Sequence, residues 1–299
     1  TITFLKSKLS SRNKLFFAAM DADTDGEEGK YYSFKKDELE EISRNTDFDL
    51  FTSYFNIELD NPWEDDKYLL LPNEYSLEDD WLKSNNISVK ELKDLKKEWI
   101  ERILEIKSER TKPRIDDKII VSWNSLVIIG LIDAYEAFRN VEFLDIAISM
   151  FDELEKKSFR KNKLIHTYKE NQFQEGVLED YAYFSKASMK LFQATGLQSY
   201  FDFSKKLTDQ ALDIYKDSNS DLLFYSNNEE LFSKVISIDD GVIPSPNSII
   251  AEQLYNIGHI IFDDYYLDLS DKMVSAVKDI IDGNINSCLL YTSDAADEV

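Results

Sequence analysis

The stretch Lys112–Tyr135, KPRIDDKIIVSWNSLVIIGLIDAY, sets Asp116-Asp117-Lys118 directly before a segment that is apolar at almost every position. A helix that is apolar around most of its circumference belongs inside a fold, so this spacing predicts an inner helix over about 119–139. Toward the C-terminus, a break at Asn140 precedes a one-faced helix over 142–157, with Phe143, Ala147, Met150, Phe151 and Leu154 facing inward. Further helices are expected at roughly 178–195, ended by Gly196, at 199–216, at 247–262 and at 264–282. Ser245 is placed to cap the third of these, with Pro246 in its first turn.

The connections alternate in length: short after Arg139, Thr195 and Ile261, long at 158–177 and 217–246. Short links make antiparallel neighbours, so the helices pair as hairpins and every long link lies at the end opposite the short ones. With hairpins beginning near 119, 178 and 247, the expected class is all-α, a helical-hairpin toroid whose long loops share one face.

Working back toward the N-terminus, Ser88 and Glu91 form a capping box ahead of the stripe Leu92, Leu95, Trp99, Ile103 and Ile106. The region 46–87 reads as irregular, and a helix is expected from about Lys36 to Arg44. Residues 13–34 place two short strands around an acidic, glycine-punctuated turn, Asp21–Gly29. That turn has D-x-D-x-D-G spacing, but the twelfth position of a calcium loop is Tyr32 rather than Glu, so an acidic turn is expected. Thr1–Leu9 reads as the end of a helix in a chain truncated before it.

With 58 acidic and 35 basic residues, the net charge of −23 repels nucleic acid and anionic membranes. The clusters Lys96-Lys97, Lys156-Lys157 and Lys205-Lys206 fall on helices as solvated faces. No apolar run reaches the ~18 residues that spanning a bilayer needs, and a cytoplasmic location is expected. The one cysteine, Cys288, opens a tail, 288–299, that resembles a translated sequencing adapter, and it is set apart from the fold. Only His166 and His259 are present, so no multi-histidine metal site is expected, and there is no phosphate loop, G-x-G-x-x-G, C-x-x-C or G-x-S-x-G. No cofactor is expected.

Candidate chemistry gathers where long loops meet hairpins: Asp116-Asp117, Glu179-Asp180 with Tyr181, and Asp239-Asp240 with Ser245, Asn247 and Ser248. Paired carboxylates could act as general acid and base on a sugar, or bind a divalent cation through oxygen. The same acids also suit helix N-termini without any ligand, each worth ~0.3–1 kcal/mol there. Trp123 and Trp63 could stack on a sugar ring, whereas Trp99, on a regular apolar stripe, is core. His166, in a long loop beside Tyr168, is a candidate site residue; His259, within a helix, is structural.

The blocks ADTDGEEGKYYSF (22–34), PWEDDKYLL (62–70), Lys112–Tyr135, LEDYAYF (178–184) with ATG (194–196), and PSPNSIIAEQLYNIG (244–258) resemble, in order, those of the spermatogenesis-associated protein 20 family, whose bacterial members are called YyaL-like. That resemblance implies a thioredoxin-like domain followed by an (α/α)6 six-hairpin toroid similar to glycosidases and N-acylglucosamine 2-epimerases. Residues 1–287 would be an incomplete toroid, with the thioredoxin-like domain and first hairpins absent and short β hairpins in its long loops. Ser125 and Pro246 stand where the family pattern has glycine. The expected function is binding, and processing, of a carbohydrate-like small molecule. Asp117 and Asp180 are then the acid–base pair, Trp123 and Asn124 orient the substrate, and Glu179, Tyr181, Asp240, Asn247 and His166 line the mouth. The alternative is a non-catalytic module that presents partners or clients to the thioredoxin-like domain.

Overall fold

A short helix, α1 (Ile2–Phe4), runs into a π-helical turn over Leu5–Leu9, and the chain then doubles back so that the Phe17 N–H donates to the Leu9 carbonyl at 2.8 Å. Leu9, Leu15 and Phe16 are buried there. The computed structural model describes residues 1–72, 75–169, 172–216, 220–227 and 235–283. They divide into two compact units, one of Thr1–Ala19 with the chain from Asp117 onward, the other Met20–Asp116. The span 1–287, expected as one toroid domain, therefore holds a second unit within it. The tail 288–299, with Cys288, lies outside the described residues.

Strand β1 (Ala19–Met20) leads into the second unit. Its acidic turn is a tight hairpin of β2 (Asp23–Thr24) and β3 (Glu27–Glu28), joined by Asp25 and Gly26, both at positive φ, as two-residue turns of this kind require. Gly29 also has positive φ, and a Cβ there would come within 2.7 Å of the Trp63 ring. Strand β4 (Phe34–Lys35) pairs antiparallel with β5 (Lys67–Tyr68). The helices are α2 (Lys36–Ile42), α3 (Phe48–Tyr54), α4 (Tyr75–Asn85) and α5 (Val89–Glu109), the last opened by the expected Ser88–Glu91 capping box. Tyr54, Phe55 and Trp99 pack at ring-centroid distances of 5.0–5.7 Å, which burial of large aromatics favours. Trp99 is buried and its indole N–H donates to Thr46. The region 46–87 is thus not irregular: its seven-residue α3 is too short to show a helical period, and aromatic packing fixes it.

After β6 (Ile115–Asp116) and β7 (Ile119–Ile120), the first unit resumes with α6 (Val121–Phe138) and α7 (Val141–Lys157). Strands β8 (Phe159–Arg160), β9 (Lys163–Lys169) and β10 (Gln172–Glu175) fill the first long connection, with β9 central and antiparallel to both β7 and β10. Then come α8 (Leu178–Thr195), α9 (Gln198–Tyr215), α10 (Pro246–Ile261) and α11 (Asp264–Gly283). Each of α6–α7, α8–α9 and α10–α11 is a packed hairpin, and α8 also packs against α6 on one side and α10 on the other. The first helix of each hairpin is therefore inner, and α8 is buried nearly all round. Each hairpin turns on one residue in the left-handed region, Arg139, Gly196 or Phe262; glycine is the low-strain choice there. The architecture of this unit is three helical hairpins packed side by side with their first helices inward, as the expected toroid class requires, and short strands in the first long connection. The N-terminal segment is tied to it: Lys6 pairs with Glu142, and the Ala18 N–H donates to the Lys118 carbonyl at 3.0 Å. Among the described residues no helix is long and apolar enough to cross a membrane.

Candidate functional site

Asp180 is the third residue of α8, where a carboxylate meets unpaired N–H groups and the positive end of the helix. One of its oxygens accepts the Ser122 N–H at 3.0 Å and the other the Val177 N–H at 2.9 Å. The side chain is fully buried, at 0% exposure. Beside it, Glu179 is 8% exposed and accepts the Ser122 hydroxyl at 2.9 Å. The first turn of α6 is thus held by the first turn of α8.

Pairing of Ile119 with Tyr168 and Ile120 with Thr167 brings His166 to the start of α6. Its Nδ1 lies 3.0 and 3.1 Å from the two Asp180 oxygens and 3.9 Å from Glu179 Oε1. Burial pulls the imidazole pKa down, but the hydrogen bond and charge of Asp180, with the charge of Glu179, outweigh it; Lys118 opposes them, and the net direction is up. These donor atoms of His166, Glu179 and Asp180 all lie within 4.8 Å of one another, close enough for a metal ion.

The Glu179 side extends to the other hairpins. Burial raises the Tyr225 hydroxyl, and Glu179 adds to this by charge and by a hydrogen bond. The buried Tyr183 hydroxyl donates to the Pro244 carbonyl, and its pKa is raised by burial and by Glu179, Asp240 and Tyr225. Asp240 accepts the Ser245 N–H at 2.6 Å and the Ser248 hydroxyl at 3.2 Å, so it braces the first turn of α10, which Ser245 caps. Electrostatic influence therefore runs from His166 to Glu179 and Tyr225, and Glu179, Tyr225 and Asp240 all act on Tyr183.

Other expected site residues are occupied in bracing. The Asn124 carboxamide accepts the Phe16 N–H at 2.8 Å and donates to the Phe16 and Ile120 carbonyls, each at 3.0 Å. Asn247 does the same to Leu223, at 2.8 and 3.0 Å, and also donates to the Ser237 carbonyl. Tyr181 is buried, its hydroxyl accepting the Leu164 N–H at 3.0 Å. Asp117 pairs with Lys169 at 2.5 Å, both nearly half exposed. Trp123 is 44% exposed. Sequence reasoning missed Ser122, Tyr183 and Tyr225. Ser122 stands beside the Trp123 that was singled out, but nothing in its spacing marks a hydroxyl that reaches α8. The cavity of about 660 Å³ in the second unit, lined by Thr24, Lys67 and Arg110 among others, includes none of these residues.

No protein-family model matches the chain. It is similar to the uncharacterized protein B0495.5 of Caenorhabditis elegans, 23% identical over 89% of this chain and 40% of that one. It is also similar to spermatogenesis-associated protein 20 of Homo sapiens, 24% identical over 86% of this chain and 37% of that one. The resemblance read from the sequence blocks is thus matched, at low identity, over most of the chain. The chain spans about two fifths of the length of these relatives. Among solved structures, a family 76 glycoside hydrolase from a bovine Bacteroides thetaiotaomicron strain aligns at 12% identity and a TM-score of 0.48, over 92% of this chain and 54% of that one. A sugar epimerase from a ruminal bacterium aligns at 14% identity and 0.47, over 93% and 69%.

Proposed function

We propose that the starts of α6, α8 and α10 form a mouth that binds a carbohydrate-like small molecule, in the toroid portion of a spermatogenesis-associated protein 20-like, YyaL-like protein that also carries a thioredoxin-like domain. The observation that supports it is the exposed Trp123, next in sequence to the Ser122 whose hydroxyl anchors Glu179. A sugar offers an apolar C–H face and a rim of hydroxyls, and it suits a site with an aromatic face and a few placed polar groups. In this reading Trp123 is the platform, and Glu179, Tyr225 and Asp240 take the hydroxyls. Asn124, Asn247 and Tyr181 hold the walls. Asp180, with both oxygens engaged and no exposed surface, orients its neighbours instead of touching the ligand. Asp117 stands at the approach, in its pair with Lys169.

Ligand-observed NMR against D-mannose, N-acetyl-D-glucosamine and short mannose oligosaccharides tests the reading. Saturation transfer to at least one of them is expected, lost in Trp123→Ala and Glu179→Gln and kept in Trp63→Ala, whose tryptophan belongs to the second unit. Transfer that survives both mouth substitutions, or is absent for all of these sugars, rejects it.

A second reading, a partner-binding module, is favoured by the hairpin turns, where Phe138 is 75% and Phe262 93% exposed. Crosslinking through Phe138→Cys and Phe262→Cys to a thioredoxin-like domain supplied in trans tests that reading; no crosslink above a surface-cysteine control removes it.

A further inference from the structure

Glu179 and Asp180 are consecutive carboxylates, both drawn inside at the start of α8. Both meet His166 Nδ1 on one side of the start of α8.

The spacing of the donors narrows what can sit there. A cation with bonds of about 2.1 Å places neighbouring ligand atoms about 3.0 Å apart at right angles and about 3.4 Å apart at tetrahedral angles. His166 Nδ1 is 3.0 Å from an Asp180 oxygen and 3.9 Å from Glu179 Oε1, so the donors already stand near ligand spacing. Each carboxylate also has a donor fixing it from elsewhere: Asp180 holds the Ser122 and Val177 N–H groups, and Glu179 holds the Ser122 hydroxyl. Outer hydrogen bonds of this kind orient carboxylates that ligate metals. The three ligands come from a central strand and an inner helix, both anchored by packing.

We infer that His166 through Nδ1, Glu179 and Asp180 hold one divalent transition-metal ion, of the zinc or manganese type that mixed imidazole–carboxylate sets accept. The ion takes the place of the proton between Nδ1 and Asp180, and the neutral imidazole carries its proton on Nε2. Such a site does not need the several histidines that this sequence lacks; it shares Glu179 with the proposed mouth, and His166, which takes no sugar hydroxyl in that reading, separates the two.

Isothermal titration of the chain with zinc or manganese chloride, without sugar, tests this. One ion per chain is expected, with a rise in melting temperature on loading. His166→Gln and Glu179→Gln should each weaken binding at least tenfold while the helical circular-dichroism signal is kept. His259→Gln, at an exposed histidine, should leave it unchanged. Failure of both metals to bind at one site per chain overturns the inference, as does binding that survives the first two substitutions or is lost with His259. If a His166 variant unfolds, binding by a folded Glu179→Gln chain with wild-type affinity still overturns it.

Discussion

The main-chain N–H of Ser122 donates to the buried carboxylate of Asp180 across 3.0 Å, so one inner helix begins on the side chain of the next. Removing the acceptor leaves two backbone N–H groups and an imidazole without their partner. Hydrogen bonds to a charged group are worth about 1.5–3 kcal/mol each, and an orphaned buried donor costs a similar amount. Asp180→Ala is therefore expected to lose about 3 kcal/mol or more in urea unfolding. Asp117→Ala, which breaks a surface pair, should stay within about 1 kcal/mol. Equal losses in the two variants would contradict the bracing role.

Asn124 and Asn247 each clip both main-chain polar groups of a residue far from their own helix, Phe16 and Leu223 respectively. Replacement by Ala should cost about 1–3 kcal/mol and be local. Hydrogen exchange should speed up at the Phe16 amide in Asn124→Ala and at the Leu223 amide in Asn247→Ala, each leaving the other amide protected. Exchange that rises at both amides in either variant would show a global effect instead.

Gly29 combines a φ of +68° with a Cβ direction 2.7 Å from the Trp63 ring. Gly29→Ala is expected to destabilise the second unit by about 1–3 kcal/mol and to shift tryptophan emission. Unchanged emission and melting would show that Trp63 moves aside freely.

Glu78 is held below the usual carboxylate range, first by its hydrogen bond to Lys96, against burial, and then by the charge of Lys96 and a hydrogen bond from Tyr54. A folded-state pKa below the unfolded one contributes stability that is present above the unfolded pKa and lost as pH falls through the folded one. Glu78→Gln should therefore lower stability at neutral pH and flatten its decline toward acid, with the two curves converging near pH ~3. Parallel melting curves from pH 7 to 3 would place the acid sensitivity elsewhere.

The inner helix α6 was legible because its largely buried first three turns leave a nearly continuous apolar run, and the hairpins were legible because link length dictates antiparallel packing. Gly196 announced its turn, but Arg139 and Phe262 adopt the same left-handed conformation without a residue type that signals it. Glu179, Asp180 and His166 could each be picked out singly. Their meeting depends on the β7–β9 register, which joins segments far apart in sequence, and no local pattern encodes that. Asn124 and Asn247 looked like polar lining because a carboxamide at a helix start reads the same whether it faces a ligand or a backbone. The aromatic core around Trp99 was half visible: its long helix has a period, but its short partner does not.

The bond between Ala18 and Lys118 has a consequence for how this chain can vary. The backbone of the first unit departs and returns beside two residues already joined by a hydrogen bond, so its two ends are held together whatever the length of Met20–Asp116. Ends closed in this way are where insertions of differing length are tolerated best.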